Sequence, residues 1–219
     1  MPSSSLAIAG EDFVIVAADT RQSDGFLINS RNSPKSFQLY PGLLLSLVYS
    51  YRTAKTVLCA NGYHADGLQL TKDLLTQIRM YQFQHGKLIS TQAIAQLTSN
   101  TLYGHRFFPY YTFTLIGGLD EVGKGAIFSF DPVGSFEREV YRSGGSAASL
   151  IQPFLDSQIG CKNRGVQDCT PLTLDFAIKV AKDAFTSAAE RDIYTGDHVQ
   201  LWIITKDGCR QEVFDIRHD

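Results

Sequence analysis

The sequence has no marked excess of either charge. Its 20 Lys and Arg residues nearly balance its 22 Asp and Glu residues, and the formal net charge of the 219-residue chain is −2. Proteins that bind nucleic acid usually carry a basic face, so no nucleic-acid partner is predicted. The longest apolar run, Leu43–Tyr49, is far shorter than the ~20 residues of a membrane-spanning helix and is more typical of a buried strand. We therefore expect no membrane partner either.

The cysteines and histidines lack the spacing of a metal centre. No Cys-x-x-Cys pair is present, and the histidines show no ligand spacing. Scattered cysteines in a sequence without a signal peptide predict reduced thiols in a protein of the cytoplasm and nucleus. We expect neither a metal nor a cofactor. The residues concerned are Cys59, Cys161, Cys169, Cys209, His64, His85, His105, His198 and His218.

The order of apolar patterns predicts the fold class. Strands are predicted first, then two helices, a hairpin, two further helices and two final strands. This order fits two sheets packed face to face with helices on each outer side, which is an α+β fold with four αββα layers. The length suits a single domain spanning residues 1–219. The predicted strands are Leu6–Ala9, Phe13–Asp19, Leu27–Asn29, Lys35–Tyr40, Leu43–Tyr49, Thr56–Cys59, Thr112–Gly117, Ala126–Phe130, Val199–Thr205 and Val213–Ile216. Two of the predicted helices begin after Asp66 and after Ser90, and the other two span Ser146–Ile159 and Thr173–Arg191.

Two charged residues stand at the ends of predicted strands. Asp19 ends the apolar strand that begins at Phe13, and Lys35 follows the next short strand, Leu27–Asn29. Because the two strands are neighbours in sequence, we expect Asp19 and Lys35 to form a buried acid–base pair.

The segment from Ser3 to Lys35 resembles the start of the proteasome β subunits. Those proteins begin with a threonine, followed by a Leu-Ala or Ile-Ala strand, the run V-I-V-A-A-D-[ST]-R and a lysine. The resemblance covers nearly the whole sequence and is most specific to a non-catalytic branch of the family called β6. It rests on the segments LAIAGEDF, ADTR, RFFPYY, FSFDPVGS, GGSAAS and SAAERDIYTGD.

The resemblance implies the fold of the N-terminal-nucleophile hydrolases and the function of a structural, non-catalytic β subunit of the 20S core proteasome. Such a subunit takes part in ubiquitin-dependent protein degradation. The implied partners are the other α and β subunits of a 28-subunit particle of stacked seven-membered rings, including a catalytic, chymotrypsin-like β5 neighbour. Asp131, Pro132 and Val133 are expected to complete the substrate pocket of that neighbour.

The catalytic positions of the family can be carried over to this sequence. Its nucleophilic threonine falls on Ser3, and its aspartate and lysine fall on Asp19 and Lys35. Ser3 follows Met1 and Pro2, with no glycine at which a propeptide would be cleaved to free its amine. We therefore expect no activity.

Three further catalytic positions of the family also bear on the expected lack of activity. The assisting serine of the family falls on Gly144, which has no hydroxyl, whereas its later aspartate and serine fall on Asp192 and Thr195. The resemblance therefore implies a vestigial site, in which Asp19, Lys35 and Asp192 form a buried ion-pair and hydrogen-bond cluster.

Two alternatives stay open at this stage. The first is an active N-terminal-nucleophile peptidase that uses Ser3. The second is a nucleotide-binding module at Gly118–Lys124, which matches most of a P-loop but has Gly125 where Ser or Thr is required. The apolar stretch Tyr40–Ala54 is longer than the turn expected there, and it is either an extended buried hairpin or an insertion.

Overall fold

Two five-stranded antiparallel sheets form the centre of the molecule. The computed structural model describes residues 3–39, 55–162 and 170–218. Within these residues the strand orders are β10-β1-β2-β11-β12 in the first sheet and β5-β6-β7-β8-β9 in the second, and β3 and β4 form a separate hairpin. The strands are β1 (Ser4–Ala9), β2 (Phe13–Asp19), β3 (Gln22–Asp24), β4 (Leu27–Ser30), β5 (Ser36–Gln38), β6 (Thr56–Gly62), β7 (Thr112–Leu119), β8 (Gly125–Phe130), β9 (Phe136–Glu139), β10 (Tyr141–Gly145), β11 (His198–Thr205) and β12 (Gly208–Asp215).

Residues alternate between the two faces of β1, as the two-residue period of a strand requires. Leu6 and Ile8 belong to the core that the first sheet shares with two helices, whereas Ala7 and Ala9 belong to the core between the two sheets. Both faces of this strand are buried, which explains why its sequence is apolar at every position from Leu6 to Ala9. The space between the sheets is narrow, since a Cβ at Gly117 of β7 would lie 2.4 Å from Val16 Cγ2.

Helices cover the outer face of each sheet. The second sheet packs on α1 (His64–His85) and α2 (Thr91–Gly104), and the first sheet packs on α3 (Ala148–Gln158) and α4 (Leu174–Ala189). Ser90 accepts a hydrogen bond from Ala93 N and caps α2, as expected at that position. The four-layer αββα sandwich predicted from the sequence is confirmed.

Several details differ from the sequence predictions. Helix α1 begins at His64, earlier than the predicted start after Asp66, and β3, β9 and β10 had not been predicted. These three strands are short, and their exposed faces lack the apolar alternation from which strands are recognised. The predicted strand Leu43–Tyr49 and the stretch Tyr40–Ala54 lie outside the described residues.

The expectation of four reduced thiols is wrong for one cysteine. Cys161 is disulfide-bonded, whereas Cys59 and Cys209 are free. None of the helices in the described ranges combines the length and the hydrophobicity needed to cross a membrane.

Candidate functional site

Asp19 and Lys35 meet where the first sheet faces the second. Lys35 Nζ lies 2.6 Å from Asp19 Oδ1 and donates a second hydrogen bond of 2.6 Å to Arg21 O. The backbone N–H of Ser4 donates to the same carboxylate oxygen at 3.0 Å. The side chains of Lys35 and Asp19 are only 4% and 0% exposed. The ion pair therefore joins the end of β2 to the start of β5 in an environment shielded from water.

Burial and the charge of Lys35 together set the electrostatics of this region. Burial raises the pKa of Asp19, and the charge and hydrogen bond of Lys35 act against that rise. Burial, and then the Lys35 charge, lower the pKa of the neighbouring His64, whose Nε2 lies 3.3 Å from Ser33 Oγ. Burial also raises the pKa of the Cys59 thiol, which makes this thiol a poor nucleophile.

The hydroxyl of Ser3 makes its hydrogen bond to Asn61 and not to the ion pair. Ser3 Oγ donates to Asn61 Oδ1 at 3.1 Å, and Asn61 Nδ2 donates to Ser5 Oγ at 2.6 Å. Among the described residues, no hydrogen bond joins Ser3 to Lys35 or Asp19. A base must lie within hydrogen-bond reach of the proton that it accepts. In this arrangement Lys35 Nζ makes no direct hydrogen bond to the Ser3 hydroxyl.

Asn61 also occupies the space in front of Gly144. A Cβ added at Gly144 would lie 2.8 Å from Asn61 Nδ2 and 3.3 Å from Ser5 Oγ. A serine at position 144 would therefore compete with the Asn61 amide for the same volume. The next residue, Gly145, has φ +89°, and a Cβ there would lie against Ser3 O. Close contact between β1 and β10 thus requires glycine at position 145.

A second group of hydroxyls surrounds Ser4. Ser4 Oγ lies 2.6 Å from Thr195 Oγ1 and 3.3 Å from Ser146 Oγ. Thr195 and Ser146 each donate to Asp192 Oδ2 at 2.7 Å. Since each hydroxyl has one hydrogen, the 2.6 Å bond must be donated by Ser4, which in turn accepts from Ala147 N at 3.2 Å. The Ser4 hydroxyl is thus committed as a donor within a structural network.

Asp192 therefore lies apart from the predicted cluster of Asp19 and Lys35. Its carboxylate is half-buried and reaches the hydroxyls of Ser146 and Thr195, and none of its hydrogen bonds within the described residues goes to Lys35. Two neighbouring networks exist, and Ser4 connects them through its backbone N–H and its hydroxyl. Whether the carried-over residues are vestigial stays a prediction.

Sequence reasoning missed a third polar group beside these networks. Asp197 is fully buried and pairs with Arg21 (2.9 Å, Oδ2) and Arg31 (2.6 Å, Oδ1). Burial alone would raise the pKa of Asp197, but the hydrogen bonds and charges of Arg21 and Arg31 hold it below its ordinary value. The run Ala18-Asp19-Thr20-Arg21 contained a signal for this pair. Arg21 follows two positions after Asp19, the buried carboxylate that ends β2, and its charge needs a partner of its own.

A cavity of about 740 Å³ opens between the two sheets next to Ser3. Asn61, Gly144 and Asp131 also line it, which brings one of the three residues expected at a neighbour's pocket close to the Ser3 region. Asp131 Oδ1 accepts from Val133 N at 3.0 Å and from Ser135 N at 2.8 Å, so it fixes the turn after β8. Val133 is exposed, and Pro132 is half-buried.

In the glycine-rich segment 118–124, the first two residues end β7 and residues 120–124 form the turn of the β7–β8 hairpin. Asp120 Oδ1 accepts from the backbone N–H groups of Val122 and Lys124, and Gly125 begins β8. A P-loop requires a strand followed by a helix whose N-terminus faces phosphate. The alternative of a nucleotide-binding module is therefore not supported by the geometry.

Comparisons with known proteins agree with this architecture. A family model described as "Proteasome subunit" matches residues 2–204. The Carassius auratus protein "Proteasome subunit beta type-1-B" is 48% identical over 214 residues, which cover 98% of this chain and 85% of the relative. The Saccharomyces cerevisiae protein "Proteasome subunit beta type-6" is 44% identical over 223 residues, covering 98% and 87%. The Arabidopsis thaliana protein "Proteasome subunit beta type-1" is 44% identical over 218 residues, covering 98% and 92%.

Proposed function

The chain belongs to the proteasome β-subunit family, and from this membership we propose that it is a non-catalytic, structural β subunit of the 20S core particle. In this role it helps to build a ring and contributes to ubiquitin-dependent protein degradation without cleaving peptides itself. The alternative of an active peptidase using Ser3 is not favoured.

The arrangement around Ser3 carries the proposal. An N-terminal nucleophile needs a hydroxyl that faces a proton acceptor. The Ser3 hydroxyl instead donates to Asn61, and the Ser4 hydroxyl donates to Thr195. Lys35 is committed to Asp19 and to a backbone carbonyl. These contacts support a retained scaffold of polar residues without a working nucleophile.

The surface supports assembly with other proteasome subunits. Phe107 and Phe108 are 93% and 89% exposed, and Phe26 at the tip of the β3–β4 hairpin is 95% exposed. Large exposed apolar side chains mark surfaces that bind partners. We propose that α and β subunits cover them in a 28-subunit particle of two outer and two inner seven-membered rings. We also propose that this particle works in the cytoplasm and nucleus.

Covalent labelling tests the absence of activity. A particle assembled with this chain is treated with a fluorescent peptide epoxyketone, a reagent that captures N-terminal nucleophiles. We expect label on catalytic β subunits and none on this chain, and Ser3→Ala should leave every peptidase rate of the particle unchanged. Label on this chain that disappears in Ser3→Ala would establish the peptidase alternative. Mass spectrometry of the terminal peptide shows in the same sample whether Ser3 has a free amine.

We further propose that Asp131, with Pro132 and Val133, lines the substrate pocket of a chymotrypsin-like β5 neighbour. The Asp131 carboxylate holds the turn, and its charge at the cavity is available to a bound peptide. Asp131→Asn keeps the oxygen that accepts from Val133 N but removes the charge. We expect this variant to change chymotrypsin-type hydrolysis in the intact particle, with trypsin-type hydrolysis as the internal control. Equal rates in wild type and Asp131→Asn would refute this role.

A further inference from the structure

Two histidines and a carboxylate come together at one end of the first sheet. His198 is the first residue of β11, Asp215 is the last residue of β12, and the antiparallel register places them directly opposite each other. His218 follows in the C-terminal segment. One potential ligand atom from each of the three residues lies within 4.8 Å of the other two.

The contacts inside this His–Asp–His cluster are close. His198 Nδ1 lies 2.7 Å from Asp215 Oδ1. The rings of His198 and His218 meet edge to face with centroids 5.1 Å apart. Side chains directly opposite in an antiparallel pair have their Cβ atoms about 5 Å apart, so the pairing of β11 with β12 holds two of the three groups together.

The third group is held in place by the backbone. Asp197 N donates to Arg217 O at 2.8 Å, and Ile216 N donates to Asp197 O at 3.0 Å, which fastens the segment after β12 beside the start of β11. Arg31 Nη1 donates to His218 O at 2.8 Å. His218 is therefore positioned by the hydrogen bond at the preceding residue, Arg217, and by the bond to its own carbonyl. The cluster is largely formed before any ligand binds.

A buried carboxylate stands behind the cluster. Asp197 Oδ1 lies 3.6 Å from His218 Nδ1, and Asp197 is fully buried. Histidines that bind metals usually donate the proton of their other ring nitrogen to a carboxylate, which fixes the tautomer and the ring orientation. An imidazole whose Nδ1–H faces Asp197 keeps the Nε2 lone pair for a metal ion.

We propose that His198, Asp215 and His218 bind a zinc ion. Two imidazoles and one carboxylate are a donor set that Zn²⁺ accepts, with water in the fourth tetrahedral position. Imidazole also favours zinc over magnesium and calcium, which prefer sites made only of oxygen atoms. Asp197 lies 2.6 Å from nearby Arg31 and 2.9 Å from Arg21, so it offsets one of these two positive charges. The bound ion would tie the C-terminal segment to the β11–β12 hairpin.

Zinc titration of the full chain tests this site independently of the proposed subunit role. Isothermal titration calorimetry with Zn²⁺ alone is expected to show one ion per chain, and Co²⁺ as a substitute is expected to give the visible absorption of a tetrahedral nitrogen–oxygen site. His218→Gln and Asp215→Asn should each weaken binding by at least ~10–100-fold, as loss of a ligand is no milder than loss of a residue that supports one. His85→Gln, at an exposed histidine in α1, is the matched control and should bind as wild type does.

Far-UV circular dichroism of each variant establishes that it is folded before its affinity is compared. A second measurement uses assembled particles that differ only in this chain, dialysed against the same Zn²⁺ buffer and analysed for metal content. We expect particles with His218→Gln to contain one zinc fewer per copy of the chain. The absence of saturable binding to the wild-type chain, or equal affinity in wild type, His218→Gln and Asp215→Asn, would overturn the proposal.

Discussion

Replacing Lys35 by methionine removes the positive half of a buried ion pair. Methionine has nearly the length of lysine, so the change deletes the ammonium group with little loss of packing. Asp19 then keeps its hydrogen bond from Ser4 N but loses the charge 2.6 Å from its Oδ1, and Arg21 O loses a donor. The variant thereby leaves a carboxylate uncompensated in a region that water does not reach.

The expected loss is large compared with the stability of a domain. Breaking a buried pair by removing one partner costs about 3–5 kcal/mol, and the free energy of unfolding of most domains is only about 5–15 kcal/mol. For a chain of this size each kcal/mol corresponds to roughly 2–4 °C of Tm, so we expect Tm to fall by roughly 6–20 °C. An exposed pair offers the matched control. Arg138 and Asp120 are 45% and 15% exposed, and Arg138→Met should cost no more than about 1 kcal/mol.

The dependence on pH identifies the cause of the loss. Burial raises the pKa of Asp19, and in Lys35→Met the opposing effect of Lys35 is absent. A carboxyl group whose folded pKa is raised favours the folded state at low pH and disfavours it as the pH rises through that pKa. The difference in stability between wild type and Lys35→Met should therefore shrink as the pH is lowered through the raised pKa of Asp19 in the variant.

Urea unfolding of the full chain, followed by far-UV circular dichroism at several pH values, measures both effects. Adding Asp19→Asn to Lys35→Met should recover part of the loss, because the amide oxygen still accepts from Ser4 N without a buried charge. A loss in Lys35→Met no larger than that in Arg138→Met, with no dependence on pH, would refute the reasoning.

Two further predictions follow from neighbouring groups. The lowered pKa of Asp197 stabilises the folded chain above the ordinary carboxyl pKa of 3.8, and this contribution is lost as the pH falls through the folded value. Arg31→Gln removes one of the two cations that lower this pKa, so acid unfolding monitored by circular dichroism should begin at a higher pH than in wild type. An unchanged acid midpoint would contradict this account. Gly144→Ser places a Cβ 2.8 Å from Asn61 Nδ2 and should destabilise the chain, whereas the same change made together with Asn61→Ala finds the space vacated. A double-mutant cycle by urea unfolding should give a favourable coupling of about 0.5–3 kcal/mol, and additive losses would disprove the steric conflict.

The sequence predicted the layers of the fold and the strand-end residues well, because both depend on local patterns. Continuous apolar runs at β1 and β2 are typical of strands buried on both faces, and this is how the structure uses them. The proximity of Asp19 and Lys35 could be expected because only a short hairpin separates the strands that carry them.

The remainder of the site depends on contacts between distant parts of the chain. Asn61 binds Ser3 across 58 residues, and Ser4 meets Thr195 across 191 residues. Neither contact produces a periodic pattern in the sequence, because one polar residue at the end of a strand looks like any other. His198 and Asp215 are only 17 residues apart, but which residues of the β11–β12 hairpin meet depends on its register. The sequence shows glycine at position 144, where the family has a serine. It does not show that the Asn61 amide fills the space that a side chain at this position would need.

The strand order of the first sheet also determines when the chain can fold during its synthesis. β1 lies between β2 and β10, and β2 lies between β1 and β11, so Asp19 pairs with Val199. At ~5–20 residues per second a ribosome releases these two positions roughly 10 to 35 s apart. Throughout that interval one edge of β2 has unpaired backbone N–H and C=O groups, and an open strand edge of this kind can pair with other chains. A nascent chain of this protein therefore depends on being shielded from its neighbours until nearly all of it has been made.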